Sequence, residues 1–217
     1  MLLGILGGAT SAGAQEIGAD WDGYLAATRA EALGLIRANR SDVAGYLHWI
    51  SSRLAARRDI PSAALAPVPW ADPAISFGAH PPAAPFVMIE FRLAPGAYLP
   101  PHNHPNASVS TLLLEGEAMI DSFELEPESA PPGAEGAARL RHMQTQLLRP
   151  GDCNFVQPAR NNLHAFRAGA HGARGVDITT QHGPPGAFGY LKLLEPRAVG
   201  SVIRAEWVDP SRERLAP

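Results

Sequence analysis

From Phe86 to Val208 the chain is cut into short apolar stretches by turn-forming residues, and this punctuation limits the possible folds more than any other feature. The stretches FVMIEFRL (86–93), SVSTLLLEGEAMIDSFEL (108–125), LRHMQTQLL (140–148) and CNFVQP (153–158) have the length and residue types of strands. So do HAFRAG (164–169), VDITTQ (176–181), GYLKLL (189–194) and VIRAEWV (202–208). Turn signals fall among them at Pro95-Gly96, Gly116, Pro150-Gly151, Asn161-Asn162 and Gly183-Pro184. Eight such stretches predict an all-β sandwich or barrel, and 21 Gly with 21 Pro argue against a helical bundle. The acidic, Pro/Gly/Ala-rich segment 125–138 reads as a mobile loop between two strands.

Ahead of this region the texture differs. Trp21, Tyr24, Leu25, Ala32, Leu33, Leu35 and Ile36 recur at helical spacing. After the capping candidate Ser41-Asp42 the pattern resumes with Val43, Tyr46, Leu47, Ile50 and Leu54. Residues 15–60 therefore read as two helices packed on the outside of the main domain. Residues 61–85 are too rich in proline for a helix and read as a linker. The predicted β domain is 86–210. Residues 1–14 carry a short apolar run and an Ala12-Gly13-Ala14 stretch that resembles a secretory cleavage site, yet no Lys or Arg precedes Arg29. They read either as an export leader, placing the protein in the periplasm, or as a disordered Gly/Ala-rich leader on a cytoplasmic one. The apolar run is too short for a membrane span. A formal net charge of −3 and the lack of a basic stripe disfavour nucleic acid as a partner. A single cysteine, Cys153, excludes an internal disulfide framework and a Cys-based zinc site, and its place on a strand reads as a buried apolar filler.

The chemistry-bearing residues are histidines. His102 and His104 are two residues apart, and on an extended segment alternate side chains share a face, so both imidazoles project together. Neutral imidazole is an available ligand near neutral pH. Pro95-Gly96 ahead of His102-x-His104, with a strand ending at Gly116, has the spacing of the first cupin motif. Pro150-Gly151-Asp152, Pro158 and His164 resemble the second, which supplies a further histidine from a neighbouring strand. The cupin fold is a double-stranded β-helix, or jelly roll, in agreement with the strand count. His102, His104 and His164 form the candidate metal site. Most metal-binding cupins carry a glutamate four or five residues after the second histidine, where this chain has Ser108 and Val109. Three neutral ligands leave the charge of a divalent ion uncompensated and favour an anionic substrate bound directly. An octahedral Fe(II) and a tetrahedral zinc are both compatible with the ligand set.

The run HNHPNASVSTLLLEGEAMIDSFE and the segments NNLHAFRA, VDITTQHGPP and FGYLKL resemble the thiol dioxygenase branch of the cupins, the family of 2-aminoethanethiol dioxygenase and plant cysteine oxidase. That resemblance spans roughly residues 85–195. It implies Fe(II) on His102, His104 and His164. It also implies dioxygen as co-substrate and, as substrate, a small thiol or a Cys-initiated peptide oxidised to a sulfinate. Asp177 would be a carboxylate that orients ligands or substrate, and Tyr190 would stand near the open coordination face. The family often has Cys-x-Tyr where this chain has Phe188-Gly189-Tyr190, so a thioether cross-link there is impossible. His182 falls where the family has small or aromatic residues; the sequence leaves its role open, with lining the pocket mouth as one option. A carbon–carbon-cleaving three-His cupin dioxygenase and a non-enzymatic metal-binding cupin are the alternatives. His171 reads as an exposed loop residue; His48, His80 and His142 read as structural.

Overall fold

The computed structural model describes residues 20–39, 41–81, 84–132, 137–158, 162–184, 186–196 and 198–212. The leader reading of residues 1–14 lies outside these. Two helices come first, α1 (Trp21–Arg37) and α2 (Val43–Ala55), and each begins at an aspartate. The Asp20 carboxylate accepts a hydrogen bond from Gly23 N at 2.9 Å and the Asp42 carboxylate one from Gly45 N at 2.8 Å, satisfying donors that the first helical turn leaves open. Among the described residues no helix is long and apolar enough to cross a membrane.

Ten strands follow among the described residues: β1 (Ala66–Pro67), β2 (Ile75–Ala79), β3 (Phe86–Leu93), β4 (Tyr98–Asn103), β5 (Ala107–Leu125), β6 (Ala138–Leu148), β7 (Cys153–Val156), β8 (Leu163–Gln181), β9 (Tyr190–Leu193) and β10 (Val202–Val208). They pair in the order β1-β2-β3-β8-β4-β9-β10-β6-β5-β7, and an additional β8–β5 pairing closes the sheet into an antiparallel jelly-roll-like barrel. This is the mainly β, double-stranded β-helix architecture that the strand spacing and the two cupin-like motifs predict, with the helices N-terminal to it.

Four details differ from the sequence reading. The Pro/Ala-rich stretch 61–85 is more than a connector, because β2 pairs with β3 over Ile75–Ala79 and buries Ile75 completely. HAFRAG and VDITTQ are not separate strands but the two halves of β8, which runs on through His171-Gly172 with Gly172 at φ 78°. His171 is exposed, as predicted, but it lies within that strand and not in a loop. Gly116 provides the matching bend in β5 at φ 74°, in register with Ala173. Part of the inserted loop is also fastened, since Trp207 Nε1 donates to the Ala130 carbonyl at 2.7 Å.

The core has a helix-covered layer and a barrel interior. Leu47, Ile50 and Leu54 of α2 pack with Met88, Leu112, Val176 and Ile178 on the outer face of β3, β5 and β8. Phe91, Leu99, Leu113, Ile120 and Phe166 fill the interior. Full burial of each such side chain contributes about 1.5–3 kcal/mol. The helix-covered layer also carries buried hydroxyl pairs: Tyr46 with Thr180 at 2.6 Å and Ser51 with Ser110 at 2.5 Å. These pairs show that even-numbered residues of the first half of β5 and the second half of β8 face α2. Alternation then turns the odd-numbered ones inward. Cys153 on β7 lies at the edge of this layer, partly buried.

Candidate metal centre

β4 and β8 are antiparallel neighbours with His102 in register with His164, and His104 follows just beyond the end of β4. Strand alternation and this register together gather the three predicted ligands. The nearest ligand nitrogens of His102, His104 and His164 all lie within 4.8 Å of one another. Their ring centroids are 4.6–5.0 Å apart. Among the described residues no Asp, Glu or Cys belongs to the cluster.

Local structure sets how each ring is presented. Pro100 and Pro101 interrupt the regular pairing of β4, whose register shifts between Leu99 and His102. This leaves the Pro100 carbonyl free to accept a hydrogen bond from His102 Nδ1 at 2.9 Å. A carbonyl can only accept, so Nδ1 carries the proton and Nε2 keeps its lone pair for a ligand. His104 Nε2 and His164 Nε2 face each other at 2.9 Å. Two adjacent ligands on an ion with metal–nitrogen bonds of about 2.1 Å would lie about 3 Å apart, so the donors fit a metal ion. Phe166, two residues from His164 on the same face of β8, lies beneath the rings with centroids 4.6 Å from His164 and 6.3 Å from His102.

Burial holds the His102 ring down to about 4, partly countered by the Pro100 carbonyl. It pushes His104 and His164 well below the ordinary imidazole value, with the neighbouring rings adding to the effect. All three are neutral at physiological pH, the form that binds metal.

Of the other predicted residues, Tyr190 sits at the site. It starts β9, is in register with His102, and its ring centroid is 5.7 Å from that imidazole. Burial raises its hydroxyl above the ordinary tyrosine range, so it remains protonated. Asp177 lies on the second half of β8, in register with Thr111, whose hydroxyl donates to it at 2.6 Å. Burial pushes its carboxyl up to about 7, against the lowering effect of Thr111. It is not a member of the imidazole cluster.

His182 is not at a pocket mouth. It is 3% exposed and its Nε2 pairs with Ser108 Oγ at 2.8 Å. Both are even-numbered positions on the side of the sheet that α2 covers. Ser108 is thus turned toward His182, while the fully buried Val109 faces the opposite way. His142 is buried against Asp121 and Thr145, both at 3.1 Å, a structural role as predicted.

Three residues were missed or undervalued in the sequence. Phe188 stands 6.0 Å from His102 and 6.4 Å from His104, centroid to centroid, and is 52% exposed. Trp70 packs edge-on against Tyr190 at 5.4 Å. Asn103, between the two ligands, projects to the opposite side of β4. There it donates from Nδ2 to the Ala187 carbonyl at 2.9 Å and accepts from Gly189 N at 2.8 Å. Its place in H-x-H was the signal for Asn103; nothing in the Pro/Ala-rich stretch marked Trp70.

Comparison with known proteins agrees with this geometry. A protein-family model described as PCO_ADO matches residues 74–185, a range that contains all three histidines and Asp177. The chain is 31% identical over 84 residues to plant cysteine oxidase 2 of Arabidopsis thaliana, covering 38% of this chain and 30% of that protein. It is 26% identical over 95 residues to a probable 2-aminoethanethiol dioxygenase of Dictyostelium discoideum, covering 43% of each. The chain therefore spans less than half the length of these curated relatives in its matches. Among solved structures, a cupin superfamily protein from Desulfitobacterium hafniense aligns with a TM-score of 0.36 and 22% identity, covering 49% of this chain and 77% of that one. With a jelly-roll barrel, three converging imidazoles and a family match across both motifs, the chain belongs to the PCO_ADO family, the thiol dioxygenase branch of the cupins.

Proposed function

We propose that this protein is an Fe(II)-dependent thiol dioxygenase that converts a thiol and dioxygen into a sulfinate, R–SH + O2 → R–SO2H. The observation that carries this reading is the convergence of three neutral imidazoles with no carboxylate in the cluster among the described residues, inside the region matched to the family. His102, His104 and His164 are the proposed ligands. Iron, when bound, supplies the capacity to activate dioxygen next to sulfur.

The chain's own residues do the rest. With no anionic ligand in the cluster among the described residues, a divalent ion held here draws an anion from outside, and a thiolate meets that need. The Pro100 carbonyl fixes the orientation of His102. Phe166 and Phe188 place apolar surface against the rings. Tyr190, protonated and adjacent to His102, offers a hydroxyl donor at the open side. Asp177 serves as the orienting carboxylate on the strength of the resemblance carried by VDITTQHGPP, and ionisation near neutral pH suits an exchange of protons with a thiol. The substrate is a small aminothiol or the N-terminal cysteine of a peptide.

The test is anaerobic reconstitution with Fe(II). Oxygen uptake is then followed with cysteamine, cysteine, 3-mercaptopropionate and a Cys-initiated peptide, with mass analysis for two added oxygen atoms. Thiol-dependent uptake with sulfinate formation is the expected result. Iron-loaded protein that consumes no oxygen with any thiol would end the proposal.

A further inference from the structure

The segment carrying Phe188 is built against the metal-ligand loop from three sides. Asn103 hydrogen-bonds the backbone on both flanks of Phe188, at the Ala187 carbonyl and Gly189 N. A Cβ placed on Gly186 would meet Pro105 at 2.6 Å, and one on Gly189 would meet the Trp207 ring at 2.8 Å, so the backbone on either side of Phe188 is seated tightly. On this seated backbone the Phe188 ring stands 52% exposed beside the imidazoles and is open to contact. The Phe188 ring also meets Tyr190 at 5.1 Å, and Tyr190 meets Trp70 at 5.4 Å. The three rings make a continuous aromatic wall beside the imidazoles.

Distances say which part of a substrate meets Phe188. Its centroid is 6.0 and 6.4 Å from the two nearer imidazoles. A sulfur held by the imidazole cluster leaves the cysteine Cα about 3 Å further out, and the next Cα follows at about 3.8 Å. A four-atom aminothiol ends before the exposed outer face of the ring, whereas a chain continuing past its cysteine must run across it.

Resting on the thiol dioxygenase reading, we infer that Phe188, backed by Tyr190 and Trp70, is a specificity-determining residue that selects Cys-initiated peptides with an apolar second residue. An acidic second residue gains nothing from an aromatic face, and its own hydration is disturbed there.

Binding tests this without turnover. Co(II)-loaded protein is titrated anaerobically with the peptides Cys-Leu-Gly, Cys-Phe-Gly and Cys-Asp-Gly, following the thiolate-to-cobalt charge-transfer band. The wild type should bind the Leu and Phe peptides about tenfold more tightly than the Asp peptide, equivalent to about 1.4 kcal/mol. In Phe188→Ala that ratio should fall to within about twofold, and Phe188→Leu should retain most of it. A charge-transfer band with equal affinities in the wild type, or an undiminished ratio in Phe188→Ala, overturns the specificity wall and leaves the dioxygenase reading standing. A wild type that gives no thiolate band with any peptide overturns both.

Discussion

Replacing Asp177 by asparagine should make the protein more stable, by an amount that depends on pH in a calculable way. The carboxyl ionises at its ordinary 3.8 in the unfolded chain and at about 7 in the folded one, because burial disfavours the charge more than the Thr111 hydroxyl supports it. Between those values the native state holds a proton that the unfolded state has released. Stability therefore falls as pH rises, by about 1.4 kcal/mol per unit, and levels off above about pH 7. Three units give an upper figure of about 4 kcal/mol; the side chain retains partial surface contact, and solvent screening brings the expectation to about 2–4 kcal/mol. The amide introduced by Asp177→Asn cannot ionise, but its carbonyl oxygen still accepts from Thr111, so the comparison isolates the charge. Urea midpoints of both proteins, stripped of metal by a chelator, would be measured from pH 4 to pH 8.5. The two curves should meet near pH 4 and separate progressively, with the variant above the wild type. The imidazoles titrate in both proteins and cancel in the difference. Parallel curves, or a wild type that gains on the variant with rising pH, would refute the account of Asp177 as a carboxylate charged at the cost of stability.

His164→Ala should abolish stoichiometric metal binding, measured by elemental analysis after reconstitution, while the far-ultraviolet spectrum stays native; wild-type metal content would remove His164 from the ligand set. Gly116→Ala should lower stability by about 2 kcal/mol or more, since φ is 74° and the new methyl would collide with the Gly172 carbonyl, and a denaturant midpoint within error of wild type would contradict the bend assigned to it.

The clustering of the three imidazoles was legible because it depends on two local rules. Alternation puts His102 and His104 on one face, and the distance to the second motif brings in His164 from the adjoining strand. The residues around it were less legible because their roles depend on which face of a strand another element covers. His182 shows this: the sequence places it near the motif, but the packing of α2 on the even-numbered side of β8 decides that it bonds Ser108 away from the rings. β2 went unread because its five residues gain their strand conformation from pairing with β3 and sit in a stretch whose prolines speak against regular structure. The continuity of β8 was hidden by Gly172, which looks like a turn in one dimension and serves as a bend in a paired strand in three. The start of α2 was legible because its N-cap, Asp42, belongs to the Ser41-Asp42 capping candidate and its chemistry is local.

The chain's one cysteine has a consequence for a protein proposed to oxidise thiols. Burial lifts the Cys153 thiol to about 11, outweighing the help of the Ser51 hydroxyl. Near neutral pH few molecules carry the thiolate, the nucleophilic form that attacks alkylating agents and disulfides and binds metals. The protein therefore brings almost no reactive sulfur of its own to the reaction it is proposed to perform. A colorimetric thiol count taken during turnover would read substrate against a silent background, and no cysteine-free variant is needed to obtain it.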